Sequence, residues 1–365
     1  MGKTRENVVK ASVSDATVSV SGDGKESLVS ILIPAYNAEQ FIADTIRSAI
    51  NQTWPRKEII VVDDGSRDNT VAIARRFESR GAKVVQQKNQ GAAAARNAAF
   101  SLSHGDYIQW LDADDLLEPN KIAGQMRAFK EGIGNRILLS SPWARFMYRP
   151  SRAQFVPSAL WADLSPIEWL LHKMGENVFM QTATWLVSRE LTEAAGPWDT
   201  RLLGDDDGEY FCRVLLASAG VHFVPGAGVY YRAFGFNSLS YIGRIPQKVE
   251  AQWLSMQLHI RYLRSLEDSP RVHAACMQYL RGAMNYFYPE RLDIFRQAQQ
   301  LAAELGEELQ VPELSWKYAW IQKLFGWELV KPVQARVGKF RWTVAAVLDK
   351  ALYRIESRNE QPAIE

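Results

Sequence analysis

The hydrophobic pattern of the chain changes at Leu28. Residues 1 to 27 are rich in Ser, Thr, Val, Asp and Gly without a helical period, which predicts a mostly disordered leader. Val29 to Ile33 is then a nearly continuous apolar run that is closed by Pro34, and it predicts a buried strand. Apolar residues recur at helical spacing between Glu39 and Thr53. The globular part therefore opens with a strand followed by a helix.

The same strand-and-helix unit is repeated through Leu111. Further strands are predicted at Glu58 to Val62, Lys83 to Gln86 and Tyr107 to Leu111, and helices at Asp68 to Phe77 and Gly91 to Leu102. Strands that alternate with helices favour an α/β fold with a mainly parallel sheet flanked by helices. Such sheets bind ligands outside the carboxyl ends of their strands.

Polar residues collect where these strands end. They are Pro34 to Asn37 after the first strand, Asp63 and Asp64 after the second, and Asp112, Asp114 and Asp115 after the fourth. Turns and helix caps explain any one of these groups, because they use Asp and Asn for purely structural reasons. Three groups at one sheet edge predict a ligand crevice instead. Grouped carboxylates suit a hard divalent cation, which itself would hold a diphosphate, so a nucleotide site is predicted.

Composition narrows the class of protein. The chain has 365 residues, of which 47% are apolar and 23% are charged, as in ordinary globular proteins. Its net charge of +2 gives no overall nucleic-acid footprint, so no nucleic-acid partner is expected. Cys212 and Cys276 lie far apart in the chain without metal-ligand spacing, which suits a reducing compartment. We therefore expect an intracellular protein.

Targeting signals are not visible in the sequence. The first residues contain no apolar signal core, and the longest uncharged stretch, Val214 to Tyr231, is interrupted by Gly and Pro. No membrane-spanning helix is predicted. We expect a cytoplasmic protein, with a peripheral position on the inner face of the membrane as the alternative.

Four motifs in the first half carry a family resemblance. They are VSILIPAYN from Val29, IIVVDDGS from Ile59, Gly91 with ARN from Ala95, and LDADD from Leu111. In order and spacing they resemble the family-2 glycosyltransferases of the GT-A fold. The resemblance is strong over residues 28 to 120, weaker to about residue 240, and absent beyond. It implies an inverting enzyme that transfers a sugar from a nucleotide diphosphate donor, which we expect to be a UDP-sugar.

The resemblance also implies roles for individual residues. Pro34, Ala35 and Tyr36 would border the base of the nucleotide, and Asp64 would accept a hydrogen bond from it. Arg96 would lie near the nucleotide, Asp112 would contact the ribose or the sugar, and Asp114 would hold Mg²⁺ or Mn²⁺. The chemistry agrees, since such an ion neutralises the negative charge that grows on the departing diphosphate.

The second half of the catalytic region has a weaker βα rhythm and is expected to bind the acceptor. Strands are predicted at Ile137 to Ser141, Ala144 to Arg149, Thr182 to Val187 and Gly228 to Tyr231, and helices at Pro166 to His172 and Tyr210 to Ala219. We predict the donor half at residues 28 to 120, the acceptor half at 121 to 245 and a helical extension at 246 to 365.

Three consecutive acids precede one of these helices, at residues 205 to 207. In the resembled family an acidic pair at a helix start includes the general base, and counting back from Arg213 assigns the pair to Asp206 and Asp207. We expect Asp207 to be the base, although the usual Glu-Asp is replaced and the register is open by one residue. Helix capping alone also explains carboxylates at a helix start.

Several polar residues follow the last predicted strand of this region. Arg232, Ser238 and Ser240 are candidates for contacts with the diphosphate or the acceptor. Relatives often have a histidine near this point, where this chain has Ala233 and Phe234, so a second protein ligand for the metal is not expected here.

The chain after about Pro246 has helical patterns throughout. Helices are predicted at Val249 to Leu266, Arg271 to Tyr286 and Leu292 to Leu305, followed by a basic, Trp-rich end with an apolar face between Val344 and Ile355. Two interpretations fit that end equally. It lies on an anionic membrane near a lipid-linked acceptor, or it packs on the catalytic domain or on another subunit.

Two other functions remain as alternatives. Asp112 and Asp114 also resemble the Asp-x-Asp of haloacid-dehalogenase-type phosphatases, but that motif normally continues with Thr or Val, and Asp115 follows here. The second alternative is a catalytically silent protein that keeps the nucleotide crevice and uses its helical end as an adaptor.

Overall fold

The computed structural model describes residues 26–233, 245–312 and 316–359. Nearly all of the predicted leader, together with Ser238 and Ser240, therefore lies outside the described residues. The described strands are, in chain order, β1 (Val29–Ala35), β2 (Lys57–Asp63), β3 (Ala82–Gln86), β4 (Tyr107–Trp110), β5 (Leu116–Leu117), β6 (Ile137–Ser140), β7 (Trp143–Phe146), β8 (Gln154–Phe155), β9 (Val187–Ser188), β10 (Gly220–Phe223) and β11 (Val229–Arg232).

Helices lie between and after these strands. They are α1 (Ile42–Ile50), α2 (Thr70–Arg75), α3 (Ala92–Ser101), α4 (Lys121–Lys130), α5 (Pro166–Gly175), α6 (Arg189–Ala195), α7 (Asp206–Ala217), α8 (Pro246–Leu266), α9 (Pro270–Phe287), α10 (Leu292–Glu304) and α11 (Trp316–Asn359). Among them, none contains a stretch both long and apolar enough to cross a bilayer.

The central sheet has the strand order β3-β2-β1-β4-β9. β1 runs parallel to β2 and to β4, and β2 runs parallel to β3, while β9 joins the edge antiparallel to β4. Every residue of β1 is buried, because helices cover both faces of the sheet and apolar side chains on both sides leave water. The predicted α/β fold with a mainly parallel, helix-flanked sheet is confirmed.

A smaller four-stranded sheet, β5-β11-β7-β8, lies beyond the central one. Its short strand β5 follows Asp115 directly and pairs antiparallel with β11. The chain that leaves the acidic end of β4 is thus tied to the second half of the fold within a few residues.

One predicted strand is wrong. Thr182 to Val187 was expected to be extended, but Thr182–Thr184 form a 3-10 turn and only Val187 and Ser188 belong to a strand. The Gln181 side chain accepts a hydrogen bond from the Ala183 N–H at 2.6 Å, and Thr184 Oγ1 donates to the Gln181 carbonyl at 2.6 Å. Such local bonds offer the backbone an alternative to a sheet ladder.

The helices after residue 245 pack against the part of the fold that precedes residue 234. One hydrophobic core includes Trp185 and Phe211 from the first part and Leu263, Leu280 and Ala298 from the helical part. α9 packs on α5, and α8 packs on α7. The start of α7, where the acidic pair lies, is therefore supported from the helical extension.

Candidate active site

The parallel register of β1, β2 and β4 brings their carboxyl ends to one edge of the sheet. Ala35 pairs with Asp63 at that edge, and the Asp64 N–H donates to the Ala35 carbonyl at 2.8 Å. The Leu111 N–H donates to the Leu32 carbonyl at 3.0 Å, which aligns the end of β4 with β1. The expectation that the polar groups after these strands share one edge is confirmed for the first, second and fourth strands.

The loop after β1 is fastened to the loop after β2. The Ala38 N–H donates to Thr70 Oγ1 at 2.7 Å, and the Asn37 N–H donates to Ser66 Oγ at 2.9 Å. Asn37 has φ 49°, a left-handed conformation that Asn tolerates better than most residues. Pro34 and Ala35 are buried, whereas 43% of Tyr36 is exposed. Of these three residues, Tyr36 offers the most surface to a ligand.

Asp64 holds the loop that follows β3. Its carboxylate accepts hydrogen bonds from Gln87 Nε2 at 2.7 Å, from the Gln90 N–H at 2.9 Å and from the Gly91 N–H at 2.8 Å. A carboxylate offers about four acceptor positions, so these bonds occupy most of its capacity. The structure thus gives Asp64 a positioning role in addition to the predicted contact with the base, which stays a prediction.

Arg96 on α3 lies between two carboxylates from distant parts of the chain. Its Nη2 donates to Asp112 Oδ1 at 2.8 Å, and its Nη1 donates to Asp206 Oδ2 at 2.6 Å. The guanidinium also lies over the Trp198 ring, 4.4 Å from the ring centroid. Only 5% of Arg96 is exposed. The predicted donor residue Asp112 and the predicted acidic pair therefore belong to one site.

The neighbour of Arg96 fixes the same connection. Asn97 Nδ2 donates to the Trp198 carbonyl at 2.9 Å, and the Trp198 N–H donates to Asn97 Oδ1 at 2.8 Å. Reading the sequence alone gave neither Asn97 nor Trp198 a role. The Gly-Pro-Trp-Asp segment that contains Trp198, just before the acids, was the available signal.

Asp206 and Asp207 lie in the first turn of α7, as the sequence predicted. Burial, together with the charges of Asp207 and Asp112, raises the pKa of Asp206 to about 6 against the opposing charge of Arg96. Asp207 Oδ2 accepts a hydrogen bond from Thr182 Oγ1 at 3.0 Å. Thr182 belongs to the segment that was wrongly predicted as a strand, and for that reason its contact was missed.

Asp205 connects the helix start to the helical extension. It has φ 56°, and its Oδ2 accepts a hydrogen bond from Ser255 Oγ of α8 at 2.7 Å. A Cβ on Gly208 would come within 2.1 Å of Asp205 Oδ1, so this carboxylate can occupy its position only because residue 208 is a glycine. These contacts give the third acid a structural position, and the roles of Asp206 and Asp207 stay predictions.

Asp114 and Asp115 differ in their surroundings. Asp115 is fully buried and accepts hydrogen bonds from the Arg232 N–H at 2.7 Å and from Gln181 Nε2. Asp114 is partly accessible, and burial together with the charge of Asp112 raises its pKa to about 7, against the opposing charge of Arg232. A raised pKa means that the protein compensates the negative charge of the ionised acid poorly. Asp114 is therefore a better candidate than Asp115 to bind a cation.

The residues present fit a divalent ion that is shared with a substrate. Among the described residues, no three His, Cys, Asp or Glu side chains converge as a metal cage. Mg²⁺ and Mn²⁺ do not require one here, since Mg²⁺ commonly binds through one or two carboxylates, waters and substrate phosphates. Asp114, with Asp112 close enough to raise its pKa, can supply such carboxylates.

Arg232 lies directly behind the acidic loop. Its Nε donates to the Asp114 carbonyl at 2.8 Å and its Nη1 to the Met147 carbonyl at 2.8 Å, and the guanidinium lies between the rings of Phe41 and Phe146. Only 4% of the residue is exposed. The structure thus gives it a supporting position, and a contact with a diphosphate or an acceptor stays a prediction, as it does for Ser238 and Ser240.

A buried lysine beneath β4 was also missed. The Lys121 amine is fully buried, donates to Gln109 Oε1 and to the Trp185 carbonyl at 3.3 Å, and burial lowers its pKa well below the usual range. Gln109 also donates to the Ala183 carbonyl at 2.9 Å. This network ties the strand that carries the acids to the turn that carries Thr182. Burial of a lysine leaves no local trace in the sequence.

Sequence relatives match only part of the chain. Residues 30–152 match the model of the family described as "Glycosyl transferase family 2". The chain is 40% identical over 108 residues to a chondroitin synthase of Escherichia coli. This match covers 29% of this chain and 16% of that protein. It is 38% identical over 107 residues to a protein of Bacillus subtilis named "Putative teichuronic acid biosynthesis glycosyltransferase TuaG", and this match covers 28% of this chain and 42% of that protein. The matched segment thus spans less than half of these relatives.

Solved structures extend the similarity of fold to most of the chain. S. aureus TarS 1-349 superposes with a TM-score of 0.59 at 16% identity, over 76% of this chain and 80% of that one. The same protein in complex with UDP-GlcNAc gives a TM-score of 0.60 at 17% identity, over 76% and 81%. Identities this low establish the fold alone. The chain has the GT-A fold, and its residues 30–152 match the model of glycosyl transferase family 2.

Proposed function

We propose that the protein is an inverting glycosyltransferase that moves a sugar from a nucleoside diphosphate donor, a UDP-sugar, to a hydroxyl of the acceptor. The observation that carries the proposal is the position of Arg96 between Asp112 and Asp206. Asp112 follows the central strand β4 at the donor edge, and Asp206 begins the helix that carries the candidate base. One buried guanidinium therefore joins the two halves that a transfer between donor and acceptor requires.

The donor would bind across the carboxyl ends of β1, β2 and β4. Tyr36 is exposed and follows Ala35, whose carbonyl accepts a hydrogen bond from the Asp64 N–H, so it can border the base. Asp64 holds the loop after β3 in place. Asp114, with Asp112, would hold Mg²⁺ or Mn²⁺. When bound, the ion would stabilise the negative charge on the leaving diphosphate, so that no protein acid has to protonate it.

The acceptor hydroxyl needs a base, because a hydroxyl is a poor nucleophile until its proton is removed. Asp206 is held by the short ion pair with Arg96, which restricts its orientation and occupies one of its carboxylate oxygens. Asp207 receives a neutral hydrogen bond from Thr182. Asp207 therefore is the better base, and Asp206 serves to fix Arg96 and the start of α7. Attack from the side opposite the diphosphate would invert the anomeric carbon.

The acceptor class follows from the relatives by analogy only. Proteins named for chondroitin and teichuronic acid synthesis match 29% and 28% of this chain, which supports a glycan or glycolipid of the cell surface as the product. A cytoplasmic location with access to a lipid-linked acceptor is consistent with this proposal.

A donor panel tests the proposal. The full chain is incubated with UDP-, GDP- and dTDP-sugars and Mn²⁺, and nucleotide release and thermal shift are measured. We expect one UDP-sugar to raise the melting temperature and to be hydrolysed slowly without acceptor. Binding of a nucleotide sugar without turnover, even when candidate acceptor glycans are added, would favour the silent adaptor. Absence of binding to every nucleotide sugar would contradict the proposal.

A further inference from the structure

Through one of its faces, the C-terminal helix α11 docks on the segment that follows β7. Asp349 accepts hydrogen bonds from the Tyr148 N–H at 2.9 Å and from Arg149 Nε at 2.7 Å. Glu356 pairs with Arg149 Nη1 at 2.9 Å. The rings of Tyr353 and Tyr148 lie 6.4 Å apart. Positions 349, 353 and 356 share one side of a helix, so this side is the docking face.

The other face of α11 carries large apolar side chains in solvent. Its members are Val337 (43% exposed), Phe340 (71%), Val344 (44%), Val347 (62%), Leu348 (59%), Leu352 (44%) and Ile355 (58%), and together they are called the α11 apolar face. At about 100° per residue their directions centre roughly 140° from that of the docking face. Apolar residues so closely spaced and so exposed differ from the scattered ones of an ordinary surface and indicate an interaction site.

Charge is divided between the two faces in the same way. Between residues 336 and 356, where the side chains of α11 are described, the acids are Asp349 and Glu356, and both pair with Arg149. Arg336, Lys339 and Arg341 are exposed in the same part of the helix. Helical spacing places Arg336 beside one edge of the apolar face and Arg341 near the other edge, between the directions of Leu348 and Leu352. The solvent side therefore combines apolar residues with cations at its edges, while both acids pair with Arg149 on the docking face.

We propose that the α11 apolar face binds the surface of a bilayer that contains anionic lipids, with the helix lying in the plane of the interface. Apolar side chains between flanking cations match the acyl region and the headgroups of such a surface. A second copy of the chain fits less well, because two such faces would bring cations of the same sign together along both flanks, where paired helices normally place opposite charges. The proposal concerns binding alone and stands independently of transferase activity.

Co-sedimentation of the full chain with vesicles tests this proposal. Wild-type protein is titrated with phosphatidylcholine vesicles and with vesicles that also contain phosphatidylglycerol, at low and high salt. We expect binding to the anionic vesicles only, weakened by salt. Phe340→Ser/Leu348→Ser should weaken it at least about tenfold. Arg336→Ser/Arg341→Ser should weaken it about 30-fold at low salt, near fivefold for each cation.

A matched control separates this face from general surface hydrophobicity. Leu292 and Val311 are exposed to 46% and 44% outside α11, and Leu292→Ser/Val311→Ser should change vesicle affinity less than twofold. Far-UV circular dichroism confirms that the variants keep their helices. Equal vesicle binding by Phe340→Ser/Leu348→Ser and by wild type would overturn the proposal. A second outcome would also overturn the proposal: wild-type protein binds no vesicles but self-associates in sedimentation velocity, and Phe340→Ser/Leu348→Ser abolishes this self-association. That outcome would assign the face to a second copy of the chain.

Discussion

Arg96 and Asp206 are separated by 110 positions in the sequence and yet form an ion pair with 2.6 Å between Nη1 and Oδ2. The pair joins α3, which follows β3, to α7, which begins at Asp206. Its guanidinium is shared with Asp112 and is covered by the Trp198 ring. A change at Arg96 should therefore affect both the stability of the fold and the geometry of the site.

Arg96→Met is expected to destabilise the protein by about 3 to 5 kcal/mol, because it leaves two poorly solvated carboxylates without their cation. Urea unfolding monitored by tryptophan fluorescence measures the free energy of unfolding. Arg47→Met is the matched control, since Arg47 pairs with Asp44 on the surface with 54% of its side chain exposed. The control should lose less than about 1 kcal/mol. Equal losses in the two variants would show that the Arg96 pair is no stronger than a surface pair.

Asp114→Asn is expected to abolish the contribution of Mn²⁺ to UDP affinity while the fold is kept, since a partly accessible carboxylate after a strand supports an ion better than it supports the core. Isothermal titration calorimetry with UDP, with and without Mn²⁺, measures the effect. Asp44→Asn removes a surface carboxylate from α1 and serves as the control. An unchanged Mn²⁺ effect in Asp114→Asn would exclude this residue as a metal ligand.

The same residue predicts a pH dependence of stability. The pKa of Asp114 is raised to about 7 by burial and by the charge of Asp112. An acid whose pKa is higher in the folded state binds its proton more tightly there, so it lowers the free energy of unfolding as the pH rises from about 4 towards 7. Asp114→Asn removes this effect. Without divalent ions the variant should be more stable than wild type at pH 8, by on the order of 1 to 3 kcal/mol.

The comparison with acidic pH checks the sign of that effect. Near pH 4 the Asp114 carboxyl is protonated in the folded protein, so the variant and wild type should unfold at similar urea concentrations. A difference that is the same at pH 4 and pH 8 would mean that the substitution acts through packing and not through charge. Asp44→Asn should stay within about 0.5 kcal/mol of wild type at both pH values.

The sequence predicted those parts of the fold that are encoded locally. β1 and β2 are continuous apolar runs that end in polar residues, and α3 is an Ala-rich run, so periodicity and composition located them to within a few residues. The start of α7 was marked by consecutive acids. In these segments local propensity and tertiary packing favour the same structure, which is the condition under which pattern alone succeeds.

The remaining features depend on contacts between distant residues. The Gln181 side chain turned an apolar stretch into a 3-10 turn, and the partners of Arg96 lie 16 and 110 positions away. The burial of Lys121 is likewise set by tertiary packing. The sequence indicated that the end of the chain was amphipathic, and only the docking of Asp349 on Arg149 shows which face is covered. None of these contacts has a signal in the local pattern.

The Asp207 carboxylate is expected to remove the proton from the acceptor hydroxyl. Asp207→Asn keeps the shape of the side chain but cannot accept that proton, so kcat should fall by about 10²- to 10⁴-fold while UDP affinity stays close to wild type. Steady-state kinetics with the UDP-sugar found in the donor panel measure the loss. Asp206→Asn is the matched control, since Asp206 is one position away and is paired with Arg96. Its kcat should fall less than that of Asp207→Asn. An inactive Asp206→Asn beside an active Asp207→Asn would assign the base to Asp206, and two active variants would exclude both residues.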